Sequence, residues 1–335
     1  MENLAQLKEL LTYPKDIVII SHRNPDGDAI GSSMALYYYL KRSLGHSVTV
    51  MVPSEYPVNL GWIPDTDKIL IHDIDTEACD NKVKKADIIF CLDFNSLDRI
   101  DKLGKVVEGV KAHKVMIDHH LFPDPFPDFV LSDTSASSTC ELVYDFIEML
   151  GDAGKIDPDM AEAMYTGILT DTGSFKYAIS PKLFRIVAQL LEKGVDDLKL
   201  QDLIFNSLKE KNLRLLGYCL DQTMEILPEY KTGIITLTKE DYAHFDIKRG
   251  DTEGIVNYLL KMRDIKLAAF ITEQPTIVKL SLRSKGDFNV QEIMKKHFRG
   301  GGHKNAAGGA SFKGLRYTLR KFKGLLPEYK EELNK

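Results

Sequence analysis

Three apolar runs in this chain are continuous rather than alternating, and each leads straight into metal-binding chemistry. Residues 17–21 run into His22, Asp26 and Asp28. Residues 87–93 end on Asp93, and residues 114–118 end on Asp118, which is followed by His119 and His120. A run that is apolar at every position fits a strand covered on both faces, the habit of parallel sheets. Further strands are expected at 47–52 and 129–132. Amphipathic stretches lie between and after the runs, at 29–44 (stopped by Gly45), 137–150 and 158–170. Alternation of this kind predicts a mostly parallel α/β sheet with right-handed crossovers.

The character changes along the second half. Residues 181–222 have apolar residues at helical spacing, with breaks near Gly194 and Asn206. From about residue 223, strands are expected at 226–227, 233–237, 267–272 and 276–283, with a helix near 252–262. The expected organisation is a domain over 1–180, a helical connector over 181–222 and a smaller α/β domain over 223–335. A length of 335 residues suits two domains.

The net charge of −5 gives no global basic field, which argues against a protein that coats long duplex nucleic acid. It leaves room for a short phosphorylated ligand. Cys79, Cys91, Cys140 and Cys219 show no paired spacing and are expected as free thiols in a reducing compartment. No apolar run approaches the roughly 18–20 residues that span a bilayer. The first residues, among them Glu2, Lys8 and Glu9, carry no secretory apolar region. The expected location is cytoplasmic, with no membrane partner.

Ligands in open α/β sheets bind at the carboxyl ends of strands. His22, Asp26, Asp28, Asp93 and His119 are expected there, and Asp171 follows the helical run 158–170. Each alone reads as a turn former or helix cap. Together they concentrate like charge that bound cations would offset. Asp26, Asp28, Asp93 and Asp171 supply four negative charges, matching two divalent cations. Carboxylate and imidazole without thiolate suits Mn²⁺, with Mg²⁺, Co²⁺ or Fe²⁺ as alternatives. Two such ions, roughly 3.5–4 Å apart, form the clamp that phosphoester hydrolysis uses. Gly27 and Gly31 are expected to let the chain turn the corner between Asp26 and the helix.

In the second domain, successive glycines at 300–302 and 308–309 would let backbone N–H groups approach an anion, as in a nest, or form a plain flexible turn. Arg283 reads either as a solvated strand-end guanidinium or as a bidentate phosphate grip. Tyr37, Tyr38, Tyr39, Trp62, His72 and His113 are expected to be scaffold.

The set His22, Asp26, Asp28, Asp93, Asp118-His119-His120 and Asp171 resembles the four motifs of the DHH phosphoesterase family. The segment 300–308 (GGGHKNAAG) resembles the glycine-rich motif of the accompanying DHHA1 domain. Order and spacing agree over roughly residues 15–325, and the form is that of the short, two-domain bacterial nanoRNase and pAp phosphatase branch. The resemblance implies a DHH catalytic domain, a DHHA1 substrate-binding domain and an active site in the cleft between them. It implies that His22, Asp26 and Asp93 hold one Mn²⁺, and that Asp28, Asp93, His119 and Asp171 hold a second. His120 would face the scissile phosphate as electrostatic stabiliser or proton donor, with Asp118 orienting the neighbouring histidines. Arg283, Ser284, Gly301, Gly302 and His303 would bind the far phosphate or base.

The implied activity is cleavage of short oligoribonucleotides, including pApA, and removal of the 3′-phosphate of 3′-phosphoadenosine 5′-phosphate (pAp). Two alternatives stand beside it. One is an exopolyphosphatase or inorganic pyrophosphatase, which shares the metal motifs. The other is a non-catalytic nucleotide-binding protein. Oligomeric state stays open, with a homodimer through the first domain as one arrangement.

Overall fold

The computed structural model describes every residue except Glu2, Ser207 and Arg249. Glu2 and the connector residue Ser207 therefore lie outside the described residues. The chain divides into two compact units, Met1–Ser207 and Leu208–Lys335.

The first unit holds strands β1 (Asp16–Ser21), β2 (Ser47–Val52), β3 (Leu70–Ile71), β4 (Ile88–Leu92), β5 (His113–Asp118) and β6 (Phe129–Ser132). They form one sheet in the order β3-β2-β1-β4-β5-β6, parallel throughout. Its helices are α1 (Leu4–Leu10), α2 (Gly27–Tyr38), α3 (Thr76–Lys85), α4 (Lys102–Glu108), α5 (Thr139–Met149), α6 (Pro158–Asp171), α7 (Pro181–Glu192) and α8 (Asp197–Phe205). The continuous apolar runs are buried on both faces. Ile17, Ile19, Phe90 and Val115 pack with α2, α5 and α6 on one side, and Val18, Ile20, Ile89 and Cys91 pack with α3 and α4 on the other. The strand order reverses between β1 and β4, which opens a crevice at their carboxyl ends.

Glycine fixes how closely α2 and α6 approach. Gly27 is the first residue of α2, directly after the cap Asp26, whereas Gly31 lies a turn inside the helix, so the corner reading is corrected for Gly31. A Cβ on Gly27 would stand 2.5 Å from Thr170 Oγ1, and one on Gly31 would collide with the Ala163 carbonyl oxygen. A Cβ on Gly167 of α6 would stand 2.6 Å from Asp28 Oδ1. These bare backbone surfaces draw Asp28 and Asp171 toward one another. Tyr38 and Tyr39 are fully buried and Tyr37 nearly so, consistent with packing. His72 sits against Asp80, 3.1 Å away.

The second unit holds α9 (Glu210–Gln222), β7 (Met224–Leu227), β8 (Thr232–Leu237), α10 (Lys239–His244), α11 (Ile255–Leu259), β9 (Leu267–Glu273), β10 (Val278–Ser284), α12 (Val290–His297), β11 (Gly301–His303), β12 (Ala306–Ser311), α13 (Leu315–Leu325) and α14 (Lys330–Asn334). Its strands form a sheet ordered β11-β12-β10-β9-β8-β7, with only β8 and β9 parallel. Helices α7 and α8 pack into the first unit's core, whereas α9 joins the second. The stretch 181–222 is thus divided between the units.

The glycine run is a β-hairpin: β11 pairs with β12 across Lys304-Asn305. Close approach explains most of its glycines. A Cβ on Gly300 would stand 2.6 Å from Gly309 Cα, and one on Gly309 would stand 2.7 Å from Met294 Sδ. Gly302 has φ 137°, and a Cβ there would stand 2.5 Å from the Ala306 carbonyl oxygen. Gly301 differs, because a Cβ there meets nothing within 4 Å. No described helix is long and apolar enough to cross a membrane.

Candidate metal centre

The first unit gathers every expected ligand at one place. His22 follows β1, Asp93 follows β4, and Asp118 ends β5 with His119 and His120 after it. Asp26 caps α2, and its Oδ1 accepts the N–H groups of Asp28 and Ala29, both at 3.1 Å. Asp171 is the last residue of α6. Three donor sets result, each with ligand atoms within 4.8 Å of one another: His22, Asp26 and Asp93; Asp28, His119 and Asp171; and Asp93, Asp118 and His120.

Asp93 belongs to the first and third sets and stands beside the second. Its Oδ2 is 3.2 Å from His22 Nε2, and its Oδ1 is 3.6 Å from His119 Nε2. It holds φ 63°, a left-handed turn that Asp tolerates better than most residues. His119 Nε2 also lies 3.3 Å from Asp171 Oδ2 and 3.9 Å from Asp28 Oδ2.

The histidines are aimed by backbone and carboxylate groups. The Arg23 carbonyl oxygen is 2.9 Å from His22 Nδ1 and the Ala136 carbonyl oxygen is 3.3 Å from His119 Nδ1. Both carbonyls accept from Nδ1–H, which assigns Nε2 as the ligand nitrogen in each ring. His120 is turned the same way by Asp118, whose Oδ1 accepts from the ring Nδ1 at 2.8 Å and whose Oδ2 accepts from the His120 backbone N–H at 3.1 Å.

Helix α5 supplies contacts that the sequence did not reveal. The first two N–H groups of α5, from Thr139 and Cys140, donate to Asp28 Oδ2 and Oδ1 at 2.6 and 2.9 Å. The Thr139 hydroxyl donates to Asp93 Oδ1 at 3.0 Å. A helix N-terminus thus braces a fully buried carboxylate. The aim of this helix start at Asp28 is tertiary and leaves no mark in the sequence.

The electrostatics show a site built for cations. Burial, then the charges of Asp93 and Asp171, hold Asp28 well above the usual carboxylate range. Burial likewise lifts Asp171, and despite the His119 hydrogen bond it is pushed up to about 6. Burial works to lower His22, but the Asp93 hydrogen bond and the charges of Asp26 and Asp93 overcome it and push the ring up to about 9. His119 is raised in the same way by Asp171. Burial pulls Asp93 upward, yet its histidine neighbours hold it below the carboxylate range. Protons on His22 and His119 here offset the carboxylate charge that divalent ions would otherwise offset. The residues fit borderline-hard divalent cations: carboxylate and imidazole donors, no thiolate, and backbone partners for two of the histidines. Cys140 adjoins the cluster, but burial and the Asp28 charge keep its thiol protonated.

In the second unit, Arg283 Nη1 donates to the Leu282 carbonyl oxygen at 3.0 Å. The Ser284 hydroxyl donates to the Phe288 carbonyl oxygen at 2.6 Å and accepts from Asn305 Nδ2 at 2.9 Å. Gly301, Gly302 and His303 form β11.

A parallel α/β sheet with a carboxylate and imidazole cluster at its switch point defines an α/β protein with the donors for metal ions at its strand ends. Residues 16–168 match the DHH family, N-terminal domain, and residues 232–334 match the DHHA1 domain. The chain is 30% identical to the bifunctional oligoribonuclease and PAP phosphatase NrnA of Thermus thermophilus, over all of this chain and 95% of that one. It is 26% identical to the protein of the same name from Bacillus subtilis, over 92% and 93% of the two chains. The crystal structure of an exopolyphosphatase-related protein from Bacteroides fragilis matches with a TM-score of 0.94 and 38% identity, covering 99% of this chain and 97% of that one. The chain belongs to the DHH family of phosphoesterases, with a DHHA1 domain after the catalytic one.

Proposed function

We propose that this protein is a two-metal phosphohydrolase that cleaves short oligoribonucleotides, pApA among them, to mononucleotides and removes the 3′-phosphate of pAp. The observation that carries the reading is Asp93, whose Oδ2 faces His22 of one ligand set while its Oδ1 lies 3.6 Å from His119 of another and 3.7 Å from His120. Under this reading His22, Asp26 and Asp93 hold one Mn²⁺, and Asp28, Asp93, His119 and Asp171 hold the other, with Mg²⁺ or Co²⁺ as substitutes. The ions supply charge neutralisation at phosphorus and activation of the attacking water.

The chain's own residues do the rest. Asp118 fixes the His120 ring through Nδ1, so Nε2 is the nitrogen that exchanges a proton with the phosphate or the leaving oxygen. The α5 N-terminus keeps Asp28 seated while its charge is shared with a cation. Arg283, Ser284, Gly301, Gly302 and His303 are assigned to the far end of the substrate. The relatives named for oligoribonuclease and PAP phosphatase activity support these substrates. The enzyme is expected to act in the cytoplasm on short RNA rather than on long duplexes.

A second reading, hydrolysis of polyphosphate or pyrophosphate, draws on the likeness to the exopolyphosphatase-related protein. One panel separates the two. Purified protein is given pAp, a 5′-phosphorylated diadenylate, pyrophosphate and polyphosphate, with Mn²⁺, Mg²⁺ or EDTA. Mn²⁺-dependent release of AMP from the first two supports the nucleotide reading. Phosphate release from the last two alone supports the other.

A further inference from the structure

We propose that the second unit carries a surface for single-stranded RNA, built from Arg299, Phe312, Lys313, Arg316, Tyr317 and Arg320. The inference rests on the nucleotide reading above for the choice of RNA. The net charge of −5 conceals a division between the units. Residues 1–207 carry 20 Lys and Arg against 33 Asp and Glu, whereas residues 208–335 carry 24 against 16. The basic excess is concentrated further, because residues 295–323 hold nine Lys and Arg and no Asp or Glu. A local field of this kind attracts phosphate whatever the charge of the whole chain.

The fold gathers these cations around two exposed aromatic rings. The Ala310 N–H donates to the Phe298 carbonyl oxygen at 2.7 Å, which sets Arg299 beside Phe312. The Arg299 guanidinium lies 5.4 Å from the centre of the Phe312 ring. Thr318 Oγ1 and Ser311 Oγ, 2.9 Å apart, tie the start of α13 to the same strand end. Thr318 and Phe322 are the buried face of α13, and Arg316, Tyr317 and Arg320 stand on the opposite, exposed face. Phe312 is 66% exposed and Tyr317 51%. A charged face is ordinarily only solvated, and Lys304 and Lys323 are neutralised by Asp287 and Glu225 at 2.7 and 2.6 Å. Among the described residues, Arg299, Lys313, Arg316 and Arg320 make no ion pair with a carboxylate. Unneutralised cations interleaved with exposed rings are the chemistry that holds a single strand: phosphates on the cations, bases on the rings. A duplex hides its base faces and has no use for the rings.

The test measures fluorescence anisotropy of labelled RNA on the full-length protein, with EDTA to prevent cleavage, over a range of salt concentrations. The probes are a dinucleotide and a twelve-nucleotide single strand. Wild type is expected to bind the longer strand more tightly. The double variant Arg316→Ala/Arg320→Ala is expected to weaken that binding and to flatten its dependence on log salt by roughly 0.7 for each lost phosphate contact. Arg316→Lys/Arg320→Lys is expected to keep the salt slope. Tyr317→Ala is expected to weaken binding on the order of tenfold with the slope unchanged. All of these positions are exposed, so the Tm and the hydrolysis of pAp should stay at the wild-type values. Equal affinity of wild type for the two probes, or a double variant with wild-type affinity and salt slope, would overturn the proposal. Binding to phosphatidylglycerol vesicles with no affinity for the strand would assign the surface to an anionic membrane and overturn it as well. Wild type that binds the strand yet hydrolyses neither pAp nor a dinucleotide with Mn²⁺ would count against the phosphohydrolase reading alone.

Discussion

The Thr139 hydroxyl donates a 3.0 Å hydrogen bond to Asp93 Oδ1, the oxygen that faces His119. Both side chains are buried, so no water competes for the bond. Partners of this kind orient a ligating carboxylate, and their loss typically weakens metal binding about 10–100-fold. Thr139→Val keeps the shape and removes the donor. It is expected to weaken Mn²⁺ binding within that range in a calorimetric titration, and Thr139→Ser is expected to restore it. Wild-type affinity in Thr139→Val contradicts the assignment.

Asp118 grips both the ring and the backbone of His120. Asp118→Asn weakens that grip and leaves the ring free to adopt the other tautomer. The expected result is a fall in kcat on the order of 10²–10⁴-fold, with the metal content of the purified protein unchanged. Full activity at full metal content would remove His120 from the chemistry.

Two glycines make opposite predictions. A Cβ at Gly167 would press on Asp28 and Cys140 where α2 meets α6. Gly167→Ala is expected to destabilise the fold by about 1–3 kcal/mol and to weaken metal binding. A Cβ at Gly301 meets nothing within 4 Å. Gly301→Ala should therefore keep the wild-type Tm, and any rise in KM for a dinucleotide reports on substrate rather than folding. Thermal unfolding and steady-state kinetics read the two effects separately.

Metal removal exposes a pH dependence. In the metal-free fold His22 is raised from 6.5 to about 9. Folding then favours its charged form, so its stabilisation is complete below pH 6.5 and lost as the pH climbs through 9. Asp171, raised from 3.8 to about 6, favours its neutral form in the fold and loses its contribution lower down, as the pH rises through 6. Asp93 runs the other way, and its contribution is kept at all pH values above the ordinary carboxylate range. The Tm of EDTA-treated protein is expected to fall between pH 6.5 and 9, and Mn²⁺ is expected to flatten that slope. Metal uptake at pH 7 should release protons, measurable by titration in buffers of different ionisation enthalpy.

Much of this centre was legible because its donors end strands. The apolar runs before His22, Asp93 and Asp118 announce buried parallel strands, and strand ends are where such sheets bind. Backbone partners leave no mark in a sequence, so the Arg23 and Ala136 carbonyls and the Thr139 and Cys140 amides stayed hidden. Gly31 was visible but misread, and the packing role of both Gly27 and Gly31 stayed hidden, since a helix crossing depends on α6, more than a hundred residues away in sequence. The run at 300–309 held too few side chains to show the alternation of a hairpin. Its glycines serve strand and helix approach at Gly300, Gly302 and Gly309.

The central claim is that Asp93 is shared by two metal ions. The direct measurement is Mn²⁺ stoichiometry by elemental analysis, paired with electron paramagnetic resonance, on wild type and Asp93→Ala. The account predicts two Mn²⁺ per chain with a spin-coupled signal in wild type, and at most one uncoupled ion with no detectable hydrolysis in Asp93→Ala. A single ion in wild type, or two ions and full activity in Asp93→Ala, would contradict it.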